Sequence, residues 1–143
     1  MQSNSLLILF YRILRTNPRR YVYIPLVIYW LLLFSLTTIP ADKLPQIFVW
    51  QDKIQHFIAY LILSMMLELT LHFQRKIPKF SRMPLKITLW FIIIYASLDE
   101  IHQAFIPGRY CDIFDLIFDI AGGALGALIV YKFLKNVKRI ETI

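Results

Sequence analysis

The chain has 143 residues, of which 58% are hydrophobic, 15% aromatic and only 17% charged. That length fits one ordinary domain, but a soluble domain would carry roughly a quarter charged residues, so the composition points to a membrane. Sixteen Lys and Arg against nine Asp and Glu give a net charge of +7, and the single cysteine, Cys111, excludes an intrachain disulfide framework or a multi-cysteine zinc site.

Residues 1–20 form a leader in which a six-residue apolar run at 6–11 precedes Arg12, Arg15, Arg19 and Arg20. A secretory signal has a longer apolar core and a small-residue cleavage site, so the leader reads as an amphipathic, interfacial stretch. Four segments then approach the about 20 apolar residues that a bilayer requires: residues 21–39, 54–73, 85–105 and 113–134. Breakers separate them, with Pro40 and Pro45 after the first, Pro78 and Pro84 between the second and third, and Pro107-Gly108 before the fourth. The predicted architecture is an all-α polytopic membrane protein. Its four helices form a compact bundle over residues 21–134, followed by a basic tail at 135–143.

Basic residues set the orientation. Arg12, Arg15, Arg19 and Arg20, then Arg75, Lys76, Lys79, Arg82 and Lys86, then Lys132, Lys135, Lys138 and Arg139 fall on one side; only Lys43, Lys53 and Arg109 fall on the other. The positive-inside rule places both termini in the cytoplasm, with the chain in the cytoplasmic membrane. The positive charge is therefore a topology signal, and no nucleic-acid partner is expected.

Acids run the other way. Asp42, Asp52, Asp99, Glu100, Asp112, Asp115 and Asp119 lie at or near the outer side, which topology alone does not require. Asp52, His56 and Tyr60 recur at four-residue steps on one helix face, beside Lys53. Asp99, Glu100, His102 and Gln103 close the third segment, where the helix dipole disfavours acids. Asp112, Asp115 and Asp119 share a face of the fourth, and Asp119 lies about 10 Å deeper than Asp112 along that helix. A carboxylate at such depth costs about 2.5–3.5 kcal/mol if it meets lipid. The expectation is an outward-opening polar pocket formed by Asp52, Lys53, His56, Asp99, Glu100, Gln103, Arg109, Asp112, Asp115 and Asp119. Arg109, aimed by the Pro107-Gly108 turn, is expected to pair with Asp119, Asp115 or Glu100.

Gly122 and Gly126, with Gly123 between them, continue the Asp115/Asp119 face at a spacing that lets helix backbones approach, with a partner expected within the chain. Glu68 and His72 read as a local pair, and Cys111 as an isolated thiol with no redox or nucleophilic partner.

Taken in order, Asp52-Lys53-x-x-His56, Asp99-Glu100-x-x-Gln103, Pro107-Gly108-Arg109 and Asp115…Gly122-Gly123…Gly126 resemble the VanZ-like membrane proteins over about residues 31–134, including Ser35-x-x-x-Ile39-Pro40. At the position of Asp119 that pattern has Asn. The resemblance implies a bacterial multi-pass membrane protein in a family whose founding member is associated with lowered susceptibility to teicoplanin. It implies neither a reaction nor that this chain confers resistance.

Three functions fit the residues. The first is a non-catalytic envelope protein whose pocket binds a lipid headgroup or cell-wall precursor, with membrane lipids as its other partners. The second is a membrane enzyme acting on such an intermediate, with His56 as general acid or base and Asp52 or Asp99 orienting it; Glu100 is the further catalytic candidate, and a metal-dependent form would use His56, His102, Asp99 and Glu100. The third is a small transporter relaying protons through carboxylates. No HExxH motif, serine elbow or phosphate loop is present, so a binding protein without cofactor or metal is favoured, and oligomerisation is not indicated.

Overall fold

The computed structural model describes residues 2–45 and 47–142, and these are helical with no strand among them. Helix α1 covers Gln2–Thr16. It carries Leu6, Leu9, Phe10 and Ile13 exposed and Leu14 buried, which suits a helix lying against lipid. A π-helical turn, Arg19–Tyr23, leads into α2, Ile24–Thr37, where Pro25 takes the first turn, the part of a helix that needs no backbone N–H. Helix α3 spans Gln51–Phe73, the short α4 Pro78–Arg82, α5 Pro84–Gln103 and α6 Ile113–Glu141.

Among the described residues, three helical stretches are long and apolar enough to cross a membrane: Arg19–Thr37, Gln51–Phe73 and Ile113–Glu141. Helix α5 is not among them. Its length suffices, but Asp99, Glu100, His102 and Gln103 crowd its last turn and lower its apolarity.

The core is the α3–α6 seam, which α5 and then α2 cover. Polar residues on α3 recur every fourth position: Asp52, His56, Tyr60, Ser64, Glu68 and His72, all but the two ends buried. Such a stripe would be costly in lipid, and it turns inward instead. Opposite it, α6 presents Gly122, Gly123 and Gly126. A Cβ added at Gly122 would strike the backbone carbonyl of Phe57, and one at Gly126 the carbonyl of Leu61 and the hydroxyl of Ser64. At Gly123 it would meet the Ile92 side chain of α5. Glycine is therefore needed for close approach, and two backbones leave no room for adjustment. Around the seam, Leu26, Leu33, Tyr60, Leu63, Ile92 and Ala96 form the apolar core.

The predicted Glu68–His72 pair is not formed. Glu68 is fully buried with neither oxygen hydrogen-bonded, whereas the His72 ring lies 3.3 Å from the Tyr11 hydroxyl of α1. The rings of Tyr11 and Phe73 stack nearby, which draws His72 toward α1.

Replacing Gly126 by Leu forces α6 away from α3. Overpacking of this kind costs about 1–3 kcal/mol, so Gly126→Leu should lower the melting temperature in detergent, whereas Leu128→Ala, at a half-exposed position on the outer face of α6, should change it little. Equal melting temperatures for Gly126→Leu and the parent chain would mean that the seam tolerates separation.

Candidate functional site

The polar residues converge where α3 begins, α5 ends and α6 begins. Asp112 caps α6 by accepting the backbone N–H of Phe114 at 2.8 Å. Gly108 adopts φ 74, a left-handed conformation open to glycine, and reverses the chain between α5 and α6. That turn is tied to the α2–α3 connection by the Ala41 N–H donating to the Pro107 carbonyl at 3.3 Å.

Lys53 is the cation that meets the acids. Its Nζ lies 2.6 Å from both Asp112 Oδ2 and Asp115 Oδ1 and 3.6 Å from Asp52, with 16% of the side chain exposed. The bond from Lys53 holds the Asp112 carboxyl below the usual carboxylate range.

One turn deeper, the His56 Nδ1 lies 3.0 Å from Asp119 Oδ1 and 3.9 Å from Glu100 Oε1, and its Nε2 faces Asp52 at 3.9 Å. Glu100 Oε2 accepts the Asp112 backbone N–H at 2.9 Å. Tyr60 donates to Asp99 at 3.3 Å, and the Gln103 amide reaches Asp99 at 3.4 Å and Glu100 at 3.5 Å. His56, Asp99, Glu100, Gln103, Asp115 and Asp119 are all buried.

Arg109 does not meet a carboxylate among the described residues, and the expected pairing with Asp119, Asp115 or Glu100 is corrected. Its Nε donates to the Ile39 carbonyl at 2.9 Å, one terminal nitrogen to Gln103 Oε1 at 2.8 Å and the other to the Leu36 carbonyl at 3.4 Å. The guanidinium meets the carbonyls of Leu36 and Ile39 at the C-terminal end of α2, the negative end of the helix dipole. Arg109 thus fastens α2 to α5 and reaches the acids only through Gln103.

His102 also departs from the predicted ligand set. Its ring stacks on Phe34 of α2 at 5.3 Å, and it belongs to neither group of ligating atoms that the fold assembles. Cys111 is exposed and free. Buried Ser64 and Glu68 extend the polar stripe beyond the predicted site. Their four-residue register from Tyr60 was the available signal.

Two cavities open here. One of about 330 Å³ is lined by Gln51, Asp52, Gln55, Gln103, Arg109 and Asp112, among others. The second, about 380 Å³, has Asp52, His56, Asp99 and Arg109 along one part and Leu32, Leu33, Leu36 and Ile58 along the rest. Leu44, Asp52, Gln55 and Arg109 line both, so a polar chamber continues into a cleft with apolar walls between α2 and α3.

The VanZ/LLP1 family model matches residues 5–135, which is most of the chain. No curated protein and no solved structure matches it.

The Lys53 triad should show in stability. Lys53→Met leaves Asp115 buried without its cation, a loss between that of an exposed and a buried pair, about 1–3 kcal/mol. Lys43→Met, in an exposed connection, should cost little. Because Lys53 depresses the Asp112 pKa, the share of stability from that pair is complete above the unfolded value of about 3.9 and disappears as pH falls through the folded value. The difference in melting temperature between Lys53→Met and the parent should therefore shrink below about pH 4. A difference absent at pH 7 would leave Lys53 as a solvated residue.

Proposed function

This chain belongs to the VanZ/LLP1 family, and on that premise we propose that it is a non-catalytic envelope protein that binds an amphiphilic ligand, a lipid headgroup or lipid-linked cell-wall precursor, at the polar end of its bundle. The observation that carries the reading is the continuity of the two cavities. A polar head fits the chamber of Asp52, Gln55, Gln103 and Arg109, and an attached hydrocarbon chain fits the cleft walled by Leu32, Leu33, Leu36 and Ile58. Arg109 has five N–H donors, and its three protein partners leave others for a phosphoryl oxygen. A ligand effect on envelope composition and glycopeptide susceptibility would follow from such binding.

The reading includes four spans, with α5 as the third and its polar end lining the chamber rather than facing lipid. It places both termini in the cytoplasm. In support, the two ends of the bundle differ in charge. At the end opposite the acids, Arg15, Arg19, Arg75 and Lys76 surround an open cavity of about 1080 Å³ with no acid on its lining, as expected for a face against anionic lipid.

Reporter fusions test the topology. A reporter at residue 143 should be active in the cytoplasm, and one in the connection at residues 41–50 outside it; the opposite pattern would put the chamber on the cytoplasmic side.

Binding is tested with purified chain and a polyprenyl phosphate, monitored by native mass spectrometry. Arg109→Gln removes a charged hydrogen bond, commonly about 1.5–3 kcal/mol, so binding should weaken roughly tenfold to a hundredfold. The free prenol should bind more weakly than its phosphate. If prenol and phosphate bind alike and Arg109→Gln changes neither, the polar chamber does not read the head.

A further inference from the structure

We propose that His56, Glu100 and Asp119 form a binding site for one divalent first-row transition ion, Zn²⁺ or Mn²⁺, buried beside the cavity that His56 lines. This inference concerns the chamber of the proposed ligand site and adds to that reading a cation which nothing in the sequence motifs required.

Geometry is the first support. One nitrogen of His56 and one oxygen each of Glu100 and Asp119 lie within 4.8 Å of one another, and all three residues are buried. The His56 Nδ1 separations, 3.0 Å to Asp119 and 3.9 Å to Glu100, bracket the about 3.4 Å between ligand atoms around a tetrahedral ion with bonds of about 2.1 Å. Imidazole with two carboxylates suits zinc or manganese rather than a soft-ligand site.

The second support is an unused ligand atom. Asp119 is fully buried, and its Oδ2 has no hydrogen-bond partner. A carboxylate oxygen left without a partner at that depth is costly, and a cation satisfies it. Glu100 is already oriented, because its Oε2 accepts the Asp112 N–H and its Oε1 is turned toward His56.

The second shell also fits. When Nδ1 ligates a metal, the imidazole proton resides on Nε2, and Asp52 faces that nitrogen at 3.9 Å. A carboxylate behind a ligating histidine fixes the tautomer and raises ligand basicity.

Charge balance points the same way. Asp52, Asp99, Asp112 and Asp115 line the two cavities, Glu100 and Asp119 are buried without lining either, and Lys53 and Arg109 are the fixed cations nearby. Lys53 is engaged by Asp112 and Asp115, and Arg109 by carbonyls and Gln103. Six carboxylates against two fixed cations leave four negative charges if all are ionised, and a divalent ion offsets two of them.

The test uses the full chain in detergent, stripped with chelator and free of added lipid. Zn²⁺ and Mn²⁺ are titrated separately, and retained metal is counted after desalting by plasma mass spectrometry. One ion per chain is expected, with a rise in melting temperature. Asp119→Asn keeps the shape of the site and should weaken affinity at least about tenfold, and His56→Ala should abolish retention. Cobalt(II) offered in place of zinc should give visible absorption that both variants lose, which separates a lost ligand from a misfolded chain. Absence of retained metal in the parent chain overturns the inference. So does retention that His56→Ala and Asp119→Asn leave unchanged, or equal binding of Mg²⁺ and Ca²⁺ independent of His56. Polyprenyl phosphate binding measured in chelator keeps the two readings apart. If it persists while metal binding fails, the ligand site stands and the metal site falls; if it alone fails, the metal site stands.

Discussion

The close approach of α3 and α6 is the constraint on which the polar site depends. Without a Cβ at Gly122 and Gly126, the two backbones come together against the carbonyls of Phe57 and Leu61. Near one end of that seam, Lys53 and His56 on α3 then face Asp112, Asp115 and Asp119 on α6. Lipid gives no hydrophobic incentive for helices to associate, so close packing and interhelical polar contacts must supply it. Here both occur on the same pair of faces. Small residues set the distance, and the ion pairs above them use that distance.

The distribution of cations around the acids follows from reach. Lys53 sits at the first turn of α3, where a long flexible stem can span to the cap of α6 and touch two carboxylates at once. Arg109 follows the Gly108 turn and meets the carbonyls of Leu36 and Ile39 at the C-terminal, negative end of α2. One cation therefore serves electrostatics within the α3–α6 seam, and the other serves assembly by tying α2 to α5. Gln103 links the systems, accepting from Arg109 and donating toward Asp99 and Glu100.

Helix α5 shows how composition and tertiary position diverge. Its last turn is polar, yet Asp99, Glu100 and Gln103 are buried there. Their neighbours are Tyr60, His56 and the backbone of Asp112, so the protein itself replaces water around them. His102, turned about 100° from Gln103 around the helix, stacks with Phe34 instead. A shift of one residue within one turn separates a site residue from a packing residue.

Much of this was legible in the sequence, because hydrophobic runs, prolines and the four-residue spacing of Asp52, His56 and Tyr60 are local properties of a helix. Length and apolarity alone marked out the segments of α2, α3, α5 and α6, and the depth of Asp119 alone required that it turn away from lipid. The family resemblance was likewise carried by linear motifs, and the family match covers them. Partner choice was not local. Whether Lys53 or Arg109 neutralises the acids depends on which helix end lies nearest, and that is set by the glycine seam and the Gly108 turn together. For the same reason Glu68 and His72, neighbours along one helix face, part company once α1 brings Tyr11 to the histidine. Sequence spacing determined which groups share a face; only the packing of faces decided which charges meet.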